Sequence, residues 1–270
     1  MSQAAASGEV HRASRVPGAP DGDALAEAAG LTAGYGGVPA IHGVSFRVRP
    51  GERVALLGPN GGGKTTLLRA ITGEAGRISG SLQINATWAT VPQTERSRLD
   101  YPVSALDVAL MGALAGLPWW RQPGRRERAA ALAALERVGM GDLAGTTFGE
   151  LSAGQRQRVL IARGLVQDAR LLLLDEPFTG LDASSSDRLE RLIGALAAEE
   201  RGIVIATHDL EQARRWDLVV CLNGRQIAFG PPGEVLDLSV LEATYGGAIV
   251  EIPDSGGLGI LPPHHHHPRS

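Results

Sequence analysis

Gly58-Pro59-Asn60-Gly61-Gly62-Gly63-Lys64-Thr65 follows the run Arg53 to Leu57 and leads into Lys64 to Gly73, with Leu67, Leu68 and Ile71 spaced on one face. The run reads as a buried strand, the glycines as a tight turn, and the periodic segment as a helix. The spacing fits G-x-x-x-x-G-K-[ST] in the strand–loop–helix context that gives this motif its meaning. Small residues let backbone N–H groups surround a phosphate chain, and the helix N-terminus adds positive potential. Lys64 is placed to reach the β- and γ-phosphates of a nucleoside triphosphate, and the Thr65 hydroxyl to ligate Mg²⁺. Such a unit predicts an α/β fold with a largely parallel sheet.

The rest of the chain is consistent with that unit. It has 270 residues, enough for one or two compact domains, with 43% apolar and 20% charged residues. The net charge of −3 argues against an electrostatic grip on nucleic acid. Of the 26 basic residues, Lys64 alone is lysine. A general bias toward arginine explains the others. At this position the planar guanidinium would be bulky, whereas an ammonium is a compact point charge. One cysteine, Cys221, excludes an intrachain disulfide and a cysteine-based zinc site, and its apolar neighbours suggest a core residue. Met1 to Gly8 show no basic segment followed by an apolar one. The longest uncharged apolar stretch, Val108 to Trp120, is 13 residues, against the roughly 20 that a membrane-spanning helix needs. A soluble, cytoplasmic protein is the expectation.

Residues 1–23 are rich in Ala, Ser, Gly and Pro and read as disordered, with folded sequence starting near Ala24. Val44 to Val48 reads as a strand. Residues 103–140 read as mostly helical, with Leu132, Leu135 and Val138 as one apolar stripe. Leu171 to Leu174 and Ile203 to Ala206 read as strands buried on both faces. Ser184 to Glu200 reads as a helix opened by serines, with Leu189, Leu192, Ile193 and Leu196 inward and Gly202 just past its end. The segment 248–270 reads as a flexible tail carrying His264 to His267, four residues of a type that ligates borderline metals.

Leu171-Leu172-Leu173-Leu174-Asp175-Glu176 would deliver two carboxylates to the carboxyl end of a strand, where open α/β sheets bind ligands. Asp175 is placed to hold Mg²⁺, and Glu176 to act as general base toward a water. Leu151-Ser152-Ala153-Gly154-Gln155 puts small residues at a helix start, again suited to a phosphate.

Together these segments resemble the ATP-binding subunit of ATP-binding-cassette (ABC) transporters, whose signature is usually Leu-Ser-Gly-Gly-Gln. Ala153 departs from it. The resemblance runs from about residue 24 to 247. It implies a RecA-like P-loop core, an antiparallel β subdomain near the N-terminus, and a helical subdomain inserted at 94–149 between core segments 24–93 and 150–247. ATP and Mg²⁺ would bind at two sites of a head-to-tail homodimer. Each site would use Gly58, Asn60, Gly61, Gly62, Gly63, Lys64, Thr65 and Thr66 of one subunit, and Ser152, Gly154 and Gln155 of the other. The resemblance makes Tyr35 the aromatic that stacks on adenine, Gln93 a contact to Mg²⁺ and the attacking water, and His208 the switch histidine at the γ-phosphate. Leu181-Asp182 would be the loop that crosses between subunits.

Leu99-Asp100-Tyr101-Pro102-Val103 followed by Leu106-Asp107-Val108-Ala109-Leu110-Met111-Gly112, Glu176 to Asp182, Ala228-Phe229-Gly230-Pro231 and Trp119-Trp120-Arg121 are similar to importers of manganese, zinc or iron. That subgroup implies membrane-spanning permease subunits, an extracytoplasmic metal-binding protein, and a place at the cytoplasmic face of the membrane. Alternatives are an importer ATPase for another small substrate and a soluble scaffold ATPase. A DNA-repair cassette ATPase would carry long insertions where Lys64 and Ser152 are only 88 residues apart, and a translation-type factor would carry two cassettes. Arg121, Arg125, Arg126 and Arg128 read as a solvated face, with permease acids or lipid headgroups as the functional alternative.

Overall fold

The computed structural model describes residues 22–92, 102–246, 249–252 and 257–260. Gln93, Leu99 to Tyr101 and His264 to His267 lie outside the described residues, as does nearly all of the segment 1–23.

The chain folds around a six-stranded sheet. Its strands are β3 (Arg53–Leu57), β5 (Trp88–Val91), β6 (Leu171–Asp175), β7 (Gly202–Thr207), β8 (Leu218–Leu222) and β9 (Gln226–Gly230). Their spatial order is β5-β6-β7-β3-β8-β9. All neighbours are parallel except β8 and β9. The central strands are apolar at nearly every position because both faces are covered. Ala55, Leu57, Leu172, Leu174, Ile203 and Ile205 point into one core, and Val54, Leu56, Leu171, Leu173, Val204 and Ala206 into the other.

The second core is closed by an antiparallel sheet and one helix. The sheet has the order β2-β1-β4, from β1 (Ala26–Tyr35), β2 (Val38–Val48) and β4 (Gly76–Ile84). The helix is α1 (Lys64–Ile71), which buries Leu67, Leu68 and Ile71. This is the antiparallel layer that the family resemblance implied. β2 starts well before Val44, where the apolar alternation alone begins.

The first core is closed by helices: α2 (Ala105–Leu110), α3 (Arg125–Arg137), α4 (Ala153–Val166) and α5 (Ala183–Ala198). Residues 103–140 are less helical than their composition suggests. After α2 the chain forms a 3-10 helix, Met111–Gly116, and an irregular stretch runs to Gly124. Leu135 and Val138 are buried but Leu132 is exposed, because only one flank of α3 faces α2 and α4. Asp182, not a serine, caps α5 through the Ser185 N–H at 2.8 Å. The left-handed residue after α5 is Glu200, and Gly202 instead opens β7. A side chain at Gly202 would press on Leu25 and Val48, so this glycine serves strand packing rather than helix termination.

Short helices α6 (Leu210–Ala213), α7 (Pro232–Val235) and α8 (Leu238–Tyr245) complete this side. Within the segment 248–270, β10 (Ile249–Ile252) and β11 (Gly257–Ile260) form an antiparallel pair. Cys221 is buried and its thiol is pushed up to about 12 by burial, consistent with an inert core residue. No helix among the described residues is long and apolar enough to cross a membrane.

Candidate nucleotide site

The site is assembled by strand register. Leu57 at the end of β3 pairs with Thr207 at the end of β7, and Ala206 pairs with Asp175 at the end of β6. Residues that follow these strands must therefore emerge at one edge of the sheet: Gly58, His208 and Glu176. This is the carboxyl edge, where parallel sheets receive ligands.

The loop after β3 depends on its glycines. A Cβ at Gly58 would overlap the Leu222 carbonyl oxygen at the end of β8, and Gly63 has φ 101° just before α1. No side chain caps α1. The first N–H groups of a helix lack internal acceptors, so this end suits an anion. A cleft of about 390 Å³ opens there, lined by Ala40, Asn60, Gly61, Lys64, Thr65 and Thr66 among others, with Glu176 on its wall.

Lys64 is buried. Its ammonium donates to the carbonyls of Gly58 at 2.7 Å and Pro59 at 3.1 Å, and lies 3.9 Å from Glu176 Oε1. Burial pulls its pKa below the usual lysine value, while the negative charges of Glu176 and Asp175 oppose that shift. The Thr65 hydroxyl donates to Asp175 Oδ2 at 3.1 Å, which sets two hard oxygen donors side by side. That donor type suits Mg²⁺, which prefers carboxylate and hydroxyl oxygen together with substrate phosphates.

Glu176 has φ 48°, a left-handed conformation unusual for a side chain of this type. Its N–H donates to the Ala206 carbonyl at 3.0 Å, which anchors the turn to β7. Its carboxylate accepts from the Thr179 hydroxyl at 3.4 Å and lies 3.7 Å from His208 Nδ1. Backbone strain held by surrounding structure recurs where a side chain must be aimed. Thr179 was missed as a site neighbour from sequence. Its only signal is its position three residues after Glu176, inside the segment quoted for the family resemblance.

The structure brings together the loop residues 58–66, Asp175, Glu176 and His208. Ser152, Gly154 and Gln155 do not line the cleft. They start α4, where the Ser152 side chain accepts from the Gln155 N–H and the Gln155 side chain from the Ser152 N–H. Ala153 is the first residue of α4 and does not adopt a positive φ, so its methyl group imposes no backbone strain. Tyr35 ends β1 beside the Gly36-Gly37 turn, 44% exposed, and its hydroxyl accepts from Arg69 of α1 at 3.4 Å. It is not among the cleft residues. The Tyr245 hydroxyl donates to the His208 carbonyl at 3.4 Å, a contact no sequence pattern announced.

A parallel sheet that holds a glycine-rich phosphate loop beside an Asp-Glu pair defines the chain as a P-loop nucleoside-triphosphate hydrolase. The family model for ABC transporters matches residues 41–179. The chain is 39% identical over 228 residues to the zinc transport system ATP-binding protein TroB of Treponema pallidum, covering 81% of this chain and 86% of that one. It is 35% identical over 233 residues to the manganese transport system ATP-binding protein MntB of Bacillus subtilis, covering 83% and 93%. Among solved structures it is similar to a transporter assigned to the metal-chelate ABC type, in an inward-facing conformation, with TM-score 0.78 and 30% identity over 85% of this chain and 92% of that one. The chain belongs to the ATP-binding subunits of the ABC transporter family and is an ATPase.

Proposed function

We propose that this ATPase powers the movement of a transition-metal ion such as manganese, zinc or iron, in the import direction. It would do so from the cytoplasmic face of the membrane, bound to membrane-spanning permease subunits that an extracytoplasmic metal-binding protein supplies. Similarity to the named zinc and manganese systems supports the metal assignment. The alignment of β3, β7 and β6 at one edge supports the chemistry.

In this reading the segments 24–93 and 150–247 form the nucleotide-binding core and 94–149 the helical subdomain. Two copies pair head to tail. The loop N–H groups and Lys64 hold the β- and γ-phosphates, and Tyr35 packs on the adenine. Thr65, Asp175 and Gln93 would hold Mg²⁺, which neutralises charge on the phosphate oxygens when bound. Glu176 orients the attacking water and accepts its proton. His208 steadies the γ-phosphate. Ser152, Gly154 and Gln155 of the partner subunit close the site from the far side. They are absent from the cleft wall of a single chain, as a site shared between subunits requires.

Element-by-element analysis of cells lacking the protein tests the substrate. A selective fall in one transition metal, restored by the wild-type protein and not by Glu176→Gln, is the expected result. Unchanged metal content with loss of another solute would overturn the metal reading. Failure to co-purify with a multi-span membrane protein would overturn the transporter role and favour a soluble scaffold ATPase.

A further inference from the structure

Trp119 and Trp120 stand 92% and 71% exposed, their rings edge to face at 5.7 Å between centroids. Single exposed aromatics are ordinary, but two adjacent indoles in water are costly unless something covers them. Four arginines follow within nine residues: Arg121, Arg125, Arg126 and Arg128, all exposed. One carboxylate stands among them, Glu127, which accepts from the Gly124 N–H at 2.7 Å and pairs with Arg121 at 3.2 Å. Three of these arginines occupy the first turn of α3. Positive charge there opposes the helix dipole, so it is not placed for helix stability.

The location is also specific. A side chain at Gly112 would overlap the Arg163 carbonyl in the last turn of α4, so the 3-10 helix that leads to the tryptophans starts at that end. Arg163 in turn donates to the Thr90 carbonyl at 2.9 Å, three residues before Gln93. The patch therefore springs from the end of α4 that is tied to β5. Opposite signs would attract it to anionic headgroups. Indoles with a polar N–H edge favour the headgroup level of a bilayer, and guanidiniums there pair with phosphates.

We propose that Trp119, Trp120 and the neighbouring arginines form a bilayer contact that seats the subunit on anionic lipid headgroups beside the permease. The siting rests on the transporter reading above; the lipid chemistry does not. The test uses the purified full-length chain with sedimented vesicles of phosphatidylcholine, with and without phosphatidylglycerol. Binding to the anionic vesicles is expected, weakened by salt, with tryptophan fluorescence quenched by brominated lipid. Trp119→Ser with Trp120→Ser should abolish quenching, and each Arg→Gln change at 125, 126 or 128 should lower partitioning about fivefold. ATP hydrolysis by these variants should match the wild type, which shows that they fold. No binding, equal binding to neutral vesicles, or unchanged binding by the variants would overturn the proposal. So would variants that bind vesicles normally but lose the permease in lipid-free detergent, since the patch would then be a protein contact. Failure of the wild type to co-purify with a permease would instead overturn the transporter reading and leave the vesicle result to stand alone.

Discussion

Glu176 Oε2 lies 3.7 Å from His208 Nδ1, although the two residues follow different strands. The other carboxylate oxygen is 3.9 Å from the Lys64 ammonium. One carboxylate thus spans the space between the buried ammonium and the imidazole. β7 lies between β6 and β3, so this arrangement follows from strand order and register rather than from any local motif.

Glu176→Gln is expected to keep ATP binding and the fold while lowering turnover about 10²- to 10⁴-fold, the range attributed to a general base. Equilibrium nucleotide binding and single-turnover hydrolysis separate the two effects. Substantial turnover in this variant would remove Glu176 as the base.

His208→Ala should lower kcat much more than it weakens ATP. The imidazole is 59% exposed, so its loss leaves no cavity and the thermal midpoint should hardly move. A change confined to nucleotide affinity would point to a structural role for the ring.

Ala153→Gly would restore the usual family signature. Ala153 opens α4 without a positive φ, so glycine brings no relief of strain and adds backbone freedom to the unfolded chain. Turnover should be unchanged, and stability should fall by up to about 1 kcal/mol. A marked rise in turnover would show that the methyl group obstructs closure of the dimer.

Asp182 accepts from the Ser185 N–H and from the hydroxyls of Ser184 and Ser185, and these bonds hold its carboxyl down to about 2. A carboxyl pKa lower in the folded than in the unfolded chain stabilises the fold above the ordinary aspartate range, and the benefit is lost as pH falls through the folded value. Asp182→Ala should therefore melt lower than wild type near neutral pH, with the gap narrowing from about pH 4 toward pH 2. A gap independent of pH over that interval would contradict the assigned cap.

Lys64 supplies the chain's sole side-chain amine. An amine-reactive reagent should modify the chain terminus readily and Lys64 slowly, because the ammonium is buried and bonded to Gly58 and Pro59. Saturating Mg-ATP should protect it further. Peptide mass mapping reads both rates, and equal reactivity with and without nucleotide would show that this loop is not the nucleotide site.

The local units are legible along the chain. Arg53 to Thr65 encodes a strand, a phosphate loop and a helix start within 13 residues, so its meaning survives without knowledge of the rest. The uninterrupted apolar runs at 171–174 and 203–206 likewise predict strands with two covered faces, because any exposed face would carry polar side chains. The remaining features join segments far apart in the chain. The register among β3, β7 and β6 put Glu176 beside both Lys64 and His208, and brought Thr65 to Asp175 across 110 residues. The role of Gly202 depended on Leu25 and Val48 crowding it, and the inward face of α3 depended on where α2 and α4 lie. Even the reason for Gly58 is partly remote, since the backbone it must clear is Leu222. Hydrophobic period and turn chemistry act over a few residues and can be read along the chain. Close approach and charge proximity act through space, and they exist only once the sheet has assembled.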